Sequence, residues 1–100
     1  IPQYYDAAIQ KVFGHKARFR WISGFDQIAD FVKRGGSVQV SQKRGHYIAI
    51  VAYDDDKDEL IYNDPYPSFY DDGNGFNRSM NSEDFTKCIK SYAIFYGRNA

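Results

Sequence analysis

The spacing of apolar and polar positions divides the chain into a helical first third and a strand-rich remainder. Between Tyr4 and Phe13, apolar or aromatic residues fall at positions 4, 5, 8, 9, 12 and 13, the steps of three and four that mark one face of a helix. Gly14 is its natural stop. From His15 to Trp21 the basic Lys16, Arg18 and Arg20 interleave with Phe19 and Trp21. A period of two describes a half-buried edge strand, although basic–aromatic interleaving also suits nucleic acid. Ser23-Gly24-Phe25-Asp26 has capping-box spacing with Asp in place of the preferred Glu. It introduces a helix over Phe25–Arg34, with Phe25, Ile28, Ala29 and Val32 on one face and Gly35-Gly36 as the stop.

The period then changes. Ser37–Ser41 forms a short strand with Val38 and Val40 on one face, and Gln42–Gly45 a tight basic turn. His46–Tyr53 is apolar on both faces, which marks a central strand. The acidic turn Asp54–Asp58 leads to a strand over Glu59–Asn63, closed by Asp64-Pro65. Pro65–Arg78, rich in Tyr, Asp, Gly and Asn, is expected to be a long loop. Asn81 or Ser82 caps a short helix through about Lys90, with Phe85, Cys88 and Ile89 facing inward, and Ser91–Gly97 is a final strand. Helices followed by mostly antiparallel strands give the α+β class.

With 100 residues the chain holds a single domain and one core. Its 18% aromatic content excludes a disordered chain, and no apolar run is long enough to span a membrane. The net charge is zero, which argues against nucleic acid as a partner. The halves are nonetheless opposite: residues 1–50 carry eight basic and three acidic residues, residues 51–100 five and ten. Their attraction gives weak support to packing of one half on the other. The start at Ile1-Pro2-Gln3 has no signal-peptide pattern, and an opening Ile suggests a chain trimmed at its N-terminus. A lone cysteine, Cys88, excludes an internal disulfide, and with His15 and His46 it is too few ligands for a structural zinc site. No metal or cofactor is implied.

One pair of residues could carry chemistry together. His46 and Asp64 lie at the far ends of two strands joined by one turn. If Tyr53 stands opposite Lys57, His46 falls opposite Asp64; if Tyr53 faces Glu59, the two are diagonal neighbours. Both registers put them on one face, and an odd register would separate them. A carboxylate beside an imidazole fixes its tautomer and steadies the imidazolium, the base-plus-orienter part of a nucleophilic hydrolase site. The alternative is a turn-flanking His and an Asp that merely precedes Pro. Cys88, on an apolar helix face, is expected to be inert core packed on Phe85. His15 is expected to be solvated and without a role. Asp54, Asp56 and Asp58 alternate like a calcium loop, but Glu59 stands where the Gly is required and Pro65 where the bidentate acid is required, so the stretch is a solvated turn. Asn77-Arg78-Ser79 fits a glycosylation sequon, a triplet common by chance. Tyr66, Phe69 and Tyr70 in the long loop form either a wall of a substrate groove or an aromatic cover over the sheet edge.

The segment Gly45-His46-Tyr47-Ile48-Ala49-Ile50-Val51-Ala52-Tyr53-Asp54, followed by Ile61-Tyr62-Asn63-Asp64-Pro65, resembles the second half of papain-like cysteine peptidases. It is most similar to the bacteriocin-processing peptidases, family 39, and their bacterial and phage relatives. Gly35-Gly36-Ser37-Val38-Gln39-Val40 stands where that family has its Gly-x-Pro-Val-Ile stretch, and Val51-Ala52-Tyr53-Asp54 stands for its Gly-Tyr-Asp turn with Ala replacing Gly. The likeness runs from about Trp21 to Tyr96. It implies a papain-like fold, with N-terminal helices on a mostly antiparallel sheet, and peptide or peptidoglycan bonds as substrate. His46 would be the general base, Asp64 its orienter, and Tyr66, Phe69 and Tyr70 substrate contacts. Bacterial cytoplasm, virion or cell envelope would be its location. The family's nucleophilic Cys has no counterpart: Tyr4 falls at its position if Ala7-Ala8-Ile9 is the tail of the family's first helix, and Gln3 is too close to serve as the oxyanion Gln. Otherwise Tyr4–Phe13 is a later helix and the nucleophile lies upstream. The alternative to an enzyme is a non-catalytic module that binds a peptide or a partner protein.

Overall fold

The computed structural model describes residues 2–100, with side chains at all of them except positions 2–4 and 15, so the readings of Gln3, Tyr4 and His15 lie outside the described side chains. Helix α1 (Pro2–Phe13) leads through a 3-10 turn into β1 (Ala17–Trp21), and α2 (Phe25–Lys33) follows. Then come β2 (Ser37–Gln42), β3 (Tyr47–Asp54), β4 (Glu59–Asn63), β5 (Arg78–Met80), α3 (Ser82–Cys88) and β6 (Ile89–Tyr96). The strands form one sheet in the order β1-β6-β2-β3-β4-β5, and each pairing described is antiparallel. The class is α+β, as expected, and β3 lies inside the sheet.

α2 covers one face of this sheet. Its buried residues Phe25, Ile28, Ala29, Phe31 and Val32 follow the helical period and meet Val38 and Val40 of β2, Ile48 and Ile50 of β3, Leu60 of β4 and Phe95 of β6. Phe31 packs edge-on against Phe95 at 5.1 Å between ring centroids, and Phe25 does the same against Phe85 at 5.9 Å. The Phe31 ring also fixes Gly36, because a Cβ there would lie 2.3 Å from the ring. The other face meets α1 through Tyr5, which packs on Phe19. Tyr5, Phe19, Trp21, Tyr92, Gln39 and Tyr47 line a groove of about 580 Å³ across it.

Four expectations require correction. The start of α2 is capped differently: Gly24, not Ser23, is the N-cap, and no side chain caps it. Counted from Gly24, the third helical residue is Gln27, and its side chain reaches back to accept the Ser23 N–H at 2.8 Å. Ser23 is thus one residue too early to cap the helix itself. The long loop ends sooner than expected, because Arg78–Met80 pairs with β4 as an edge strand. A three-residue strand is too short for its alternation to register.

The third correction concerns α3, which stops at Cys88 instead of Lys90, with Ile89 already extended. The inward position passes from Phe85 to Ile89, both buried, and Cys88 is exposed. It faces a hollow with Gln42, Lys43, Arg44 and Lys87 and does not pack in the core. The fourth is the β3–β4 register. Beside the turn, Tyr53 pairs with Leu60, the odd register that would have separated His46 from Asp64. A bulge between Ile50 and Ala52 absorbs one residue, so Ile50 pairs with Tyr62 and Ala49 with Asn63. Beyond the bulge the register is the even one in which His46 and Asp64 are diagonal neighbours.

Candidate active site

His46 sits at the end of the turn between β2 and β3. That turn is tied by the Gln42 N–H donating to the His46 carbonyl at 2.6 Å and the Gly45 N–H to the Gln42 carbonyl at 2.9 Å. His46 begins the row that continues through the buried Ile48 and Ile50, and the period of two turns its ring to the same face. Asp64 is the first residue after β4. Pro65 keeps Asp64 extended, and the Asp64 carboxylate accepts the Tyr66 N–H two residues on, at 2.9 Å. This is an Asx turn, the local conformation that Asp favours before a change of direction.

The two side chains meet: His46 Nε2 lies 2.6 Å from Asp64 Oδ1. The Asp64 side chain is wholly buried and that of His46 nearly so, at 7%. Asp64 Oδ2 accepts the Tyr70 hydroxyl at 2.7 Å, and the Tyr62 and Tyr70 hydroxyl oxygens are 3.2 Å apart. Burial raises the Asp64 carboxyl. The hydrogen bonds from Tyr70, the Tyr66 N–H and His46 outweigh burial and hold the group below its ordinary value. An ionised carboxylate only accepts, so Nε2 carries a proton toward it, and in the neutral ring Nδ1 is then the nitrogen with the lone pair. Among the described residues no buried side-chain nitrogen or oxygen lacks a hydrogen-bond partner. Nδ1 has no hydrogen-bond partner among those residues.

The loop after Asp64 folds around this pair. The Tyr66 ring lies 4.8 Å and the Phe69 ring 4.9 Å from the imidazole, centroid to centroid, and both are more than half exposed. Tyr70 turns inward to the carboxylate instead. The Asp64 N–H donates to the Gly75 carbonyl at 2.7 Å, and a Cβ on Gly75 would stand 2.1 Å from the Asp64 oxygen. Only glycine permits this approach of two backbone segments. Sequence reasoning overlooked Tyr62, Gly75 and Arg44, whose guanidinium stacks 4.2 Å from the Phe69 ring centroid. A glycine in a polar loop was the one legible signal among them.

A carboxylate-held imidazole with a lone pair on its second nitrogen can take a proton from a nucleophile and return it to a leaving group. Among the described residues no Ser, Thr or Cys side chain is hydrogen-bonded to it, and Cys88 borders a different hollow, lined by Gln42, Lys43, Arg44 and Lys87. No described helix is long and apolar enough to cross a membrane. No curated protein sequence matches the chain. A family model described as the Peptidase C39 like family matches residues 1–99. That match covers nearly the whole α+β fold, and the chain belongs to the peptidase C39-like family.

Proposed function

We propose that these residues form the proton-handling part of a cysteine-type peptidase or amidase acting on peptide or peptidoglycan bonds. The observation that carries the reading is the buried 2.6 Å contact between His46 Nε2 and Asp64, which leaves Nδ1 as the free base. In this reading His46 Nδ1 takes the thiol proton, and the thiolate attacks the substrate carbonyl. The imidazolium then gives that proton to the departing amine, and water releases the acyl group by the same route in reverse. Asp64 stays ionised throughout and holds the ring. Tyr66 and Phe69, exposed beside the imidazole, form the wall against which a peptide lies. The thiol comes from outside residues 1–100, since Cys88 faces a separate hollow.

The test has two arms. Residues 1–100 alone should leave peptides and cell-wall material intact, and alkylation of Cys88 should change nothing. In the native polypeptide, His46→Ala should lower thiol-dependent hydrolysis by about 10⁶-fold, the order seen when the base of a catalytic triad is removed. Alkylation-sensitive turnover by residues 1–100, or an active His46→Ala polypeptide, would overturn the proposal.

A second reading rests on the open groove of about 580 Å³ lined by Tyr5, Phe19, Trp21 and Tyr92. A non-catalytic module would use such a surface to bind a peptide or partner protein. It is favoured if the native polypeptide hydrolyses nothing and binds peptide equally well with and without His46.

A further inference from the structure

The Asp64 carboxylate is the post to which the loop is fastened, and among the described residues its second oxygen has one donor, the Tyr70 hydroxyl. The terminal torsion of an aspartate is soft and roughly two-fold. Two contacts on Oδ1, from His46 and the Tyr66 N–H, leave the carboxylate plane free to rock. A buried oxygen without a donor would also carry an unmet hydrogen-bonding need. The Tyr70 hydroxyl removes both problems, and Tyr70 is itself well held. Its N–H donates to the Pro67 carbonyl at 3.1 Å and its carbonyl accepts the Gly73 N–H at 2.9 Å. The Arg78 guanidinium of β5 lies 4.3 Å from its ring centroid and pairs with Asp72 at 3.0 Å. The Tyr62 hydroxyl of β4 approaches the Tyr70 oxygen at 3.2 Å. With the Tyr70 proton committed to Asp64, Tyr62 is the donor in that contact. Burial, followed by the bonds to Tyr62 and Asp64, raises the Tyr70 phenol above its ordinary value, so it remains a donor at neutral pH.

We propose that Tyr70 is a positioning residue: its hydroxyl sets the plane of the Asp64 carboxylate, and through it the His46 imidazole, so that the loop bearing Tyr66 and Phe69 is registered to the base. This rests on the reading of His46 and Asp64 as the working pair. It assigns Tyr70 a place behind the acid and not on the substrate wall.

The experiment follows the His46 Nε2–H proton by NMR in residues 1–100, and hydrolysis by the native polypeptide. Asp64→Ala removes the acceptor and should abolish the protected Nε2–H signal. If the signal survives that change, the His–Asp reading itself fails. Tyr70→Phe removes one oxygen and should speed exchange of the proton with solvent about tenfold, as expected for loss of a hydrogen bond to a charged group. In the native polypeptide it should lower kcat by about 10- to 100-fold, the change that corresponds to loss of a hydrogen bond to a charged group, with KM unchanged. A rise in KM at constant kcat would make Tyr70 a substrate contact and overturn the proposal. So would Tyr70→Phe that lowers stability while leaving the Nε2–H signal in place. If Tyr70→Phe fails to fold, 3-fluorotyrosine at position 70 keeps the shape and strengthens the donor. The signal should then move without losing protection, and an unmoved signal again overturns the proposal.

Discussion

Helices α1 and α2 carry the same kind of apolar spacing and end in opposite situations. α2 buries Phe25, Ile28, Ala29, Phe31 and Val32 against the sheet. α1 leaves Tyr5, Val12 and Phe13 more than half exposed, and the residue it buries among those described is polar, Asp6. Asp6 accepts the Phe19 N–H at 2.9 Å, a donor on the free edge of β1, and takes the Arg18 guanidinium through Nε at 2.9 Å to each oxygen. One helix is held by apolar area and the other by a carboxylate that satisfies a strand edge. An amphipathic stripe thus identifies a face that can be covered. It does not say by what.

The comparison can be broken at several points. Ile28→Ala, at a fully buried site, should have the largest effect, about 2–5 kcal/mol from lost transfer energy and the cavity left behind. Urea unfolding measures it, and a loss below 1 kcal/mol would mean that α2 is not the anchor of the core. Asp6→Ala should cost less, about 1–3 kcal/mol for unmet partners of a charged acceptor. Amide exchange should speed at Phe19 first, while the α2 core keeps its protection. Val12→Ser, 74% exposed, should stay within about 0.5 kcal/mol, and a larger loss would show that the α1 stripe is covered in solution.

Acid sharpens the same contrast. The Arg18 guanidinium, the Phe19 N–H and Gln10 hold the Asp6 carboxyl below its ordinary 3.8 against the opposing effect of burial. Asp64 is lowered too, its hydrogen bonds outweighing burial. For both, the folded chain binds a proton less readily than the unfolded chain does. The stability they contribute is complete above about pH 4 and is lost as the pH falls through their folded values. The urea midpoint should therefore decline below pH 4, and less steeply in Asp64→Asn. An identical decline in that variant would remove Asp64 from the account. The smallest expected effect is at Cys88: exposed, it should label with a thiol reagent in the folded protein at a rate that His46→Ala leaves unchanged. A rate that depends on His46 would restore Cys88 as a nucleophile.

The elements with a sustained period were legible from residues alone: the Phe25 helix, the strands from Ser37 to Asn63, and the last strand. Their side chains repeat often enough for burial of one face to dominate the local energetics. His46 and Asp64 were legible as a pair because strand alternation leaves only two arrangements, one face or two.

Which of those arrangements holds was decided by tertiary structure. The turn at Asp54–Asp58 sets an odd register, and the bulge at Val51 reverses it so that Tyr53 and Leu60 keep the same core face as Ile50 and Tyr62. Burial of four apolar side chains across a hairpin outweighs one disturbed ladder position, and nothing in the order of residues displays that balance. Cys88 turned outward for a similar reason, because the strand that follows required Ile89 inside. Tyr70 was visible only as one aromatic among several in a loop. Its hydroxyl reaches Asp64 because Gly75, Arg78 and Tyr62 close the loop from three sides. The sequence by itself determined the periodic elements, the absence of a disulfide and the two candidates for proton transfer. The fold alone decided the register that joins them and the donors that hold them, since those depend on contacts between residues far apart in the chain.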